Sequence, residues 1–355
     1  NAEIFALKLV TLAVAFTALE LVSGFSIHEF RYDRFHDNAK DVFRIVKTKS
    51  TETYGRNKQT SQVTDLVYEQ LTEQSAYTLA RTKVLNELNV IVNDRLLSNQ
   101  QLHVADQQIT DIFTFNFIDG GAEIFKKYNQ SIILSSKLAE QYFNTLNITG
   151  KRLQIYTYSD TLSYEIAGVY EAFPLNSHQA FDAFLLYNDS NLLSLGFDPI
   201  TFEVYGRKKP TVNVSESNSL LETAEYRNTK QPIGNNYFGP RKSGEDVAHG
   251  DLYSVIILLS ITSLILFLAV TSFINLTSLG LPKRVKELAI KKLSGHTKLR
   301  LTLSFIGESF FISCTALILS GLLIWLSQEF IRSIQVLELT TLVIVYQIWL
   351  IPIVL

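Results

Sequence analysis

Residues 283–300, KRVKELAIKKLSGHTKLR, place seven Lys or Arg and one Glu between two long uncharged apolar runs. Moving that many cations across a bilayer is costly, so a basic loop flanked by spans stays on the cytoplasmic side. The loop also has the spacing of a short amphipathic helix. Val285, Leu288, Ala289 and Leu293 share one face, and Glu287 stands four residues before Lys291. Ser294-Gly295 ends it. A basic amphipathic helix in this position lies on the membrane surface or docks into a cytoplasmic partner.

The apolar runs set the rest of the topology. The first, 9–27, follows Lys8 and is interrupted only by Glu20. It is too long for a signal-peptide core and is followed by no small-residue cleavage site, so it reads as an anchoring span. Glu20 is either a functional intramembrane carboxylate or a side chain turned toward neighbouring helices; without a partner visible in sequence, the second is favoured. The second run, 253–281, would be roughly 43 Å long as a helix, against about 30 Å of hydrocarbon. The excess is taken up by tilt or by a stalk beyond the bilayer, and Pro282 is expected to close the run. The third, 301–326, carries Glu308 near its cytoplasmic start, and the fourth, 339–355, is shorter than the roughly 20 residues a span needs. The chain is therefore expected to stop inside a truncated fourth span and to be part of a longer protein. With 283–300 inside, residues 28–252 lie outside.

Composition excludes more than it assigns. The net charge is −2, hydrophobic residues make up 47%, and the single cysteine, Cys314, lies in an apolar run. No internal disulfide can form. No CxxC, HExxH, GxSxG or phosphate-loop pattern is present, and none of the six histidines is paired at metal-ligand spacing. The chain reads as a non-enzyme with no cofactor or metal of its own and no nucleic-acid partner.

The outer segment reads as a mixed α/β domain. Residues 43–49 and 89–93 have strand composition, and 152–158 with 164–170 read as a hairpin. Residues 135–143 read as a helix with Leu138, Ala139, Tyr142 and Phe143 on one face. The polar stretch 206–250 is expected to hold a mobile excursion before the second span.

Six phrases, in order, resemble FtsX-like ABC-transporter permeases that carry a MacB-like periplasmic core domain, of the Bacteroidota type. They are HEFRYDRFHDNAKDVFRIV (28–46), ADQQITDIFTFNFIDGG (105–121), IILSSKLAEQYF with ITGKRLQI (132–155), YEIAGVYEAFPLNSH (164–178), INLTSLGLPKRVKELAIKKLSG (274–295) and FIGESF (305–310). The cytoplasmic segment usual before the first span is almost absent, and the fourth span is incomplete, as in the first half of such a protein.

The resemblance implies an α-helical transmembrane bundle with a mixed α/β periplasmic domain between spans 1 and 2. The expected boundaries are span 1 at 1–28, core domain 29–250, span 2 with stalk 251–282, coupling helix 283–299, span 3 at 300–327, a short loop 328–338 and span 4 at 339–355. It implies that Arg284, Val285, Lys286, Glu287, Leu288, Lys291, Lys292, Leu293 and Gly295 form the surface that couples to a cytoplasmic ABC-type ATPase dimer, which would hold ATP and Mg. Further implied partners are membrane lipid, a second permease half or homodimer copy, and a periplasmic or outer-membrane protein. The implied location is the inner membrane, with the large domain in the periplasm. Three functions fit: export or extraction of a substrate from the periplasmic side; mechanical signalling to a periplasmic partner without transport; or a structural subunit of an envelope complex.

Overall fold

The computed structural model describes residues 2–49, 58–73, 76–156, 161–174, 176–177, 181–198, 200–209, 219–222, 226–239, 242, 249–294 and 297–333. The chain divides into two compact units. One holds Asn1–Phe30 with the described residues from Asp251 onward, the other Arg31–Gly250.

The first unit is helical. It consists of α1 (Ala2–Phe30), α7 (Leu252–Leu293) and α8 (Lys298–Ser333). Each contains a stretch long and apolar enough to cross a membrane: Glu3–Phe30, Leu252–Gly280 and Lys298–Ser327. α1 packs against both other helices. Its Leu12, Ala13 and Phe16 share a small core with Ile312 and Ala316 of α8. Small residues at that contact let the backbones approach closely. α7 presents mostly apolar side chains outward, and among its described side chains Val255, Thr262 and Ala269 are buried, seven apart. That interval keeps one narrow seam facing a neighbouring helix.

The apolar stretch ends at Gly280, just before Pro282, but Pro282 does not end the helix. α7 runs without a break from Leu252 to Leu293, 42 residues, and Ser294 caps it. A proline removes one helical hydrogen bond and costs about 3 kcal/mol. Once a helix is nucleated, each further residue adds a bond, so the helix-forming residues on both sides carry it through. The fourth run, 339–355, lies outside the described residues.

Among the described residues, the second unit is built on one thirteen-stranded sheet. Its strands are β1 (Val42–Lys49), β2 (Lys58–Thr60), β3 (Gln62–Thr64), β4 (Tyr77–Val92), β5 (Arg95–Ala105), β6 (Phe117–Gly120), β7 (Ser131–Ser135), β8 (Arg152–Tyr156), β9 (Thr161–Tyr170), β10 (Ala183–Leu186), β11 (Thr201–Lys208), β12 (Ser219–Glu222) and β13 (Tyr226–Pro232). Five short helices accompany them: α2 (Asp65–Glu73), α3 (Ile109–Ile112), α4 (Ala122–Lys127), α5 (Ser136–Phe143) and α6 (Asp189–Ser194).

The strand order is β12-β13-β1-β11-β4-β5-β10-β7-β9-β6, and β8 pairs with both β4 and β9. That double pairing closes β4-β5-β10-β7-β9-β8 into a ring with no open edge. Leu85, Val90, Leu102, Ile132, Leu134, Leu153, Ile155 and Ile166 belong to one buried cluster contributed by its strands. β4 is long enough to serve two partners on one side. Its first half pairs with β11, and Asn89, Val90 and Ile91 pair with β8. The β4–β5 turn is Asn93-Asp94, both at positive φ, the backbone that a two-residue hairpin turn needs.

α5 follows its sequence pattern closely. Ser135 caps it by accepting from the Leu138 amide at 3.2 Å, and Leu138, Ala139, Tyr142 and Phe143 are all buried. Strands occupy described parts of the stretch 206–250 that its composition did not announce. Residues 226–232 form β13, which pairs with β1 along its whole length, and β12 adds beyond it. Polar composition hid these strands because they lie at the sheet margin, where the outward face meets water.

A second core, under the other face of β7 and β9, is aromatic: Phe113, Phe125, Phe181, Phe184, Tyr170 and Tyr205 are buried there. His103 points into it, 5.0 Å from the Phe181 ring and 5.7 Å from Phe184, with Nδ1 buried and without a hydrogen-bond partner. Burial lowers its pKa to about 4, so the folded protein holds it neutral. The unfolded chain takes the proton near pH 6.5. Stability is therefore full above pH 6.5, falls as pH drops toward 4, and loses roughly 3 kcal/mol over that window. Thermal unfolding across that range should show this slope, and His103→Leu should flatten it.

Candidate functional site

The basic segment is the end of α7. Backbone helix continues through residues 283–293, and Ser294 closes it with its amide donating to the Ile290 and Lys292 carbonyls. Its hydroxyl donates to the Ile290 carbonyl at 3.0 Å. Val285, Ile290, Lys291 and Lys292 are exposed, and Leu293 is 88% exposed. The side chains of Arg284, Lys286, Glu287 and Leu288, and the whole of Gly295, lie outside the described residues. The described part offers cations and bare aliphatic groups together at a helix C-terminus. Lys291 and Lys292 there face the negative end of the helix dipole. A surface of this make-up suits a groove with an apolar floor and an acidic rim.

Of the two intramembrane acids, Glu20 is 4% exposed and its Oε1 lies 3.1 Å from the Ser320 hydroxyl of α8, whose single proton it shares with the Leu317 carbonyl at 2.7 Å. Glu308 stands on α8 and is exposed. Lys8 is buried on α1, with Nζ 5.2 Å from the centroid of the Phe273 ring of α7. Polar groups thus join α1 to each of its two neighbours, where hydrocarbon offers none in competition. The Ser320 contact was invisible in sequence. It joins residues 300 positions apart, and a serine in an apolar run carries no signal of its own.

In the outer unit, the phrase YDRFH packs. His36 is buried against Phe35, Phe113 and Phe173, and its Nδ1 accepts from the Thr114 amide at 3.3 Å. A cavity of about 710 Å³ opens beside this turn. Its lining mixes Asp33, Asp37 and Asp41 with Arg34 and Lys40, so it presents no strong field of one sign. Among the described residues, no group of three or more His, Cys, Asp or Glu could hold a metal ion.

Arg81 is a heavily engaged cation of this unit. It donates to both carboxylate oxygens of Asp106 and to Asp65, and it lies over the rings of Tyr68 and Tyr187. Arg81 thereby ties β4 to the segments that follow β5 and β10.

Two family models match the chain. MacB-like periplasmic core domain covers residues 5–224, and FtsX-like permease C-terminal covers 259–355. Among solved structures, a domain assigned to a permease protein from Porphyromonas gingivalis is 18% identical, covering 62% of this chain and 98% of its own, with a TM-score of 0.45. The periplasmic region of MacB from Actinobacillus actinomycetemcomitans is 14% identical, covering 49% and 78%, at 0.36. The extracellular domain of the noncanonic ABC-type transporter YknZ from Gram-positive bacteria is 15% identical, covering 48% and 84%, at 0.35. A comparison with curated proteins finds no match.

Interhelical hydrogen bonds in membranes contribute about 0.6 kcal/mol on average and about 1.7 at most. Ser320→Ala and Glu20→Ala should each lower the melting temperature of the detergent-solubilised chain. Combined, they should fall short of additivity by about that energy. Additive effects would mean that the two side chains act separately.

Proposed function

Because the chain belongs to the FtsX-like permeases with a MacB-like periplasmic core domain, we propose that it couples ATP hydrolysis by a cytoplasmic ABC-type ATPase to movement of its periplasmic domain. The movement exports or extracts a substrate from the periplasmic side of the inner membrane. ATP and Mg belong to the ATPase, and a second permease half or copy completes the assembly.

One observation carries this reading: the uninterrupted helix α7. At 1.5 Å per residue it is roughly 63 Å long, about twice the hydrocarbon thickness. The same rigid element holds the span, the basic surface at Leu293 and the capped start at Asp251. Asp251 accepts from the Tyr253 amide at 3.0 Å and from the Ser254 hydroxyl at 2.6 Å. A helix without a joint passes a push at one end to the other with little loss. Arg284, Lys286, Lys291 and Lys292 form charge-assisted bonds to the ATPase, while Val285, Leu288 and Leu293 fill its groove.

Affinity purification of the full-length protein in mild detergent, with mass spectrometry of what is retained, should recover an ATP-binding cassette subunit. Reversal of the four cations (R284E, K286E, K291E, K292E) should lower its recovery by about tenfold or more. Recovery of envelope proteins without any ATPase would support a structural subunit instead. A recovered ATPase with no cargo, but with a wall enzyme or sensor attached, would support mechanical signalling.

Since α7 already accommodates Pro282, one more proline is a weak interruption. Inserting Gly-Pro-Gly after Ser260 should abolish function in complemented cells while leaving the ATPase bound. Retained function would end the rigid-helix mechanism.

A further inference from the structure

The chain passes between its two units twice, at Phe30–Arg31 and at Gly250–Asp251. Inside the outer unit, the residues next to these crossings meet. Tyr32 and Tyr237 stack with ring centroids 3.5 Å apart and planes 10° from parallel, and both are buried. Free aromatic pairs prefer offset or edge-on arrangements, so a close parallel stack reflects what encloses it.

Gly250 is part of that enclosure. Its amide donates to the Tyr237 carbonyl at 2.9 Å, and a Cβ at this position would lie 2.1 Å from the Tyr237 ring. Only a residue without a side chain lets the chain press so closely on the ring immediately before Asp251 begins α7. On the other side of the stack, the Asp33 amide donates to the Asn176 carbonyl at 2.9 Å. Asn176 Nδ2 donates to the Arg31 carbonyl at 3.0 Å, and the Ser177 hydroxyl reaches Asp33 at 3.5 Å. Asp33 is fully buried and holds a positive φ of 57°.

We propose that Tyr32 and Tyr237 are the positioning residues of a joint that binds both crossings into one mechanical body. A displacement arriving at Gly250 along α7 is then imposed on Arg31–Asp33, and through Asn176 and Ser177 on the outer unit. Tyr237 serves both sides, holding Gly250 by backbone and ring and holding Tyr32 by its ring. The use of this joint in transmission rests on the permease reading above. The joint itself does not, and it can be tested without nucleotide or ATPase.

The test is hydrogen–deuterium exchange on the full chain in lipid nanodiscs. Tyr237→Ala should speed exchange by about tenfold or more at the amide of Gly250 and, together with it, at Asp33 on the far side of the stack. Amides of Ile132–Leu134 in the closed ring should stay protected. Tyr32→Ala should give the same paired loss, and Tyr237→Phe, which keeps the ring, should restore both sites. If Tyr237→Ala also exposes Ile132–Leu134, Gly250→Ala supplies the reading, since its Cβ would meet the Tyr237 ring first, and the same paired loss is expected. The proposal is overturned if either tyrosine change affects its own segment alone, or if both segments keep their protection. Failure to recover an ATPase would overturn the permease reading and leave this result standing.

Discussion

Hydrocarbon gives a peptide backbone nothing to bond with, and this requirement organises the whole molecule. Every crossing must be a helix that satisfies its own amides and carbonyls, so each of the three apolar runs within the described residues is helical from end to end. The same requirement makes α7 useful. A segment obliged to be helical through the bilayer needs only helix-compatible flanks to continue as one rod, and residues 283–293 supply them. A break at Pro282 would separate the basic surface from the span; without one, both belong to a single helix.

The outer unit meets the opposite problem, that of a sheet with edges in water. β8 resolves it locally by pairing with both β4 and β9, closing a ring filled by apolar side chains. β4 then reaches past the ring to carry β11, β1 and β13. Its early residues lie beside the aromatic core that surrounds His103, and Arg81 on the same strand gathers Asp65 and Asp106.

Local pattern reached some elements and missed others for identifiable reasons. α5 was legible because its cap and its four buried residues fall within nine consecutive positions. The β8–β9 pairing was legible because the two runs adjoin. β13 was not, because its polar residues look like loop until β1 lies beside them. Pro282 misled because a proline's local cost was set against too little helix on either side. The Glu20–Ser320 bond and the Tyr32–Tyr237 stack join residues hundreds of positions apart, and no periodicity records such a distance.

The sequence by itself determined the membrane-spanning character and the family, because these depend on summed hydropathy and ordered short phrases. Tertiary structure alone decided that α7 is one rod, that a strand closes the ring, which groups meet between the membrane helices, and that a glycine seats a tyrosine at the second crossing. The physical reason is range. Transfer energies and local phrases accumulate along the chain, whereas contacts between remote residues exist only once the backbone has been placed.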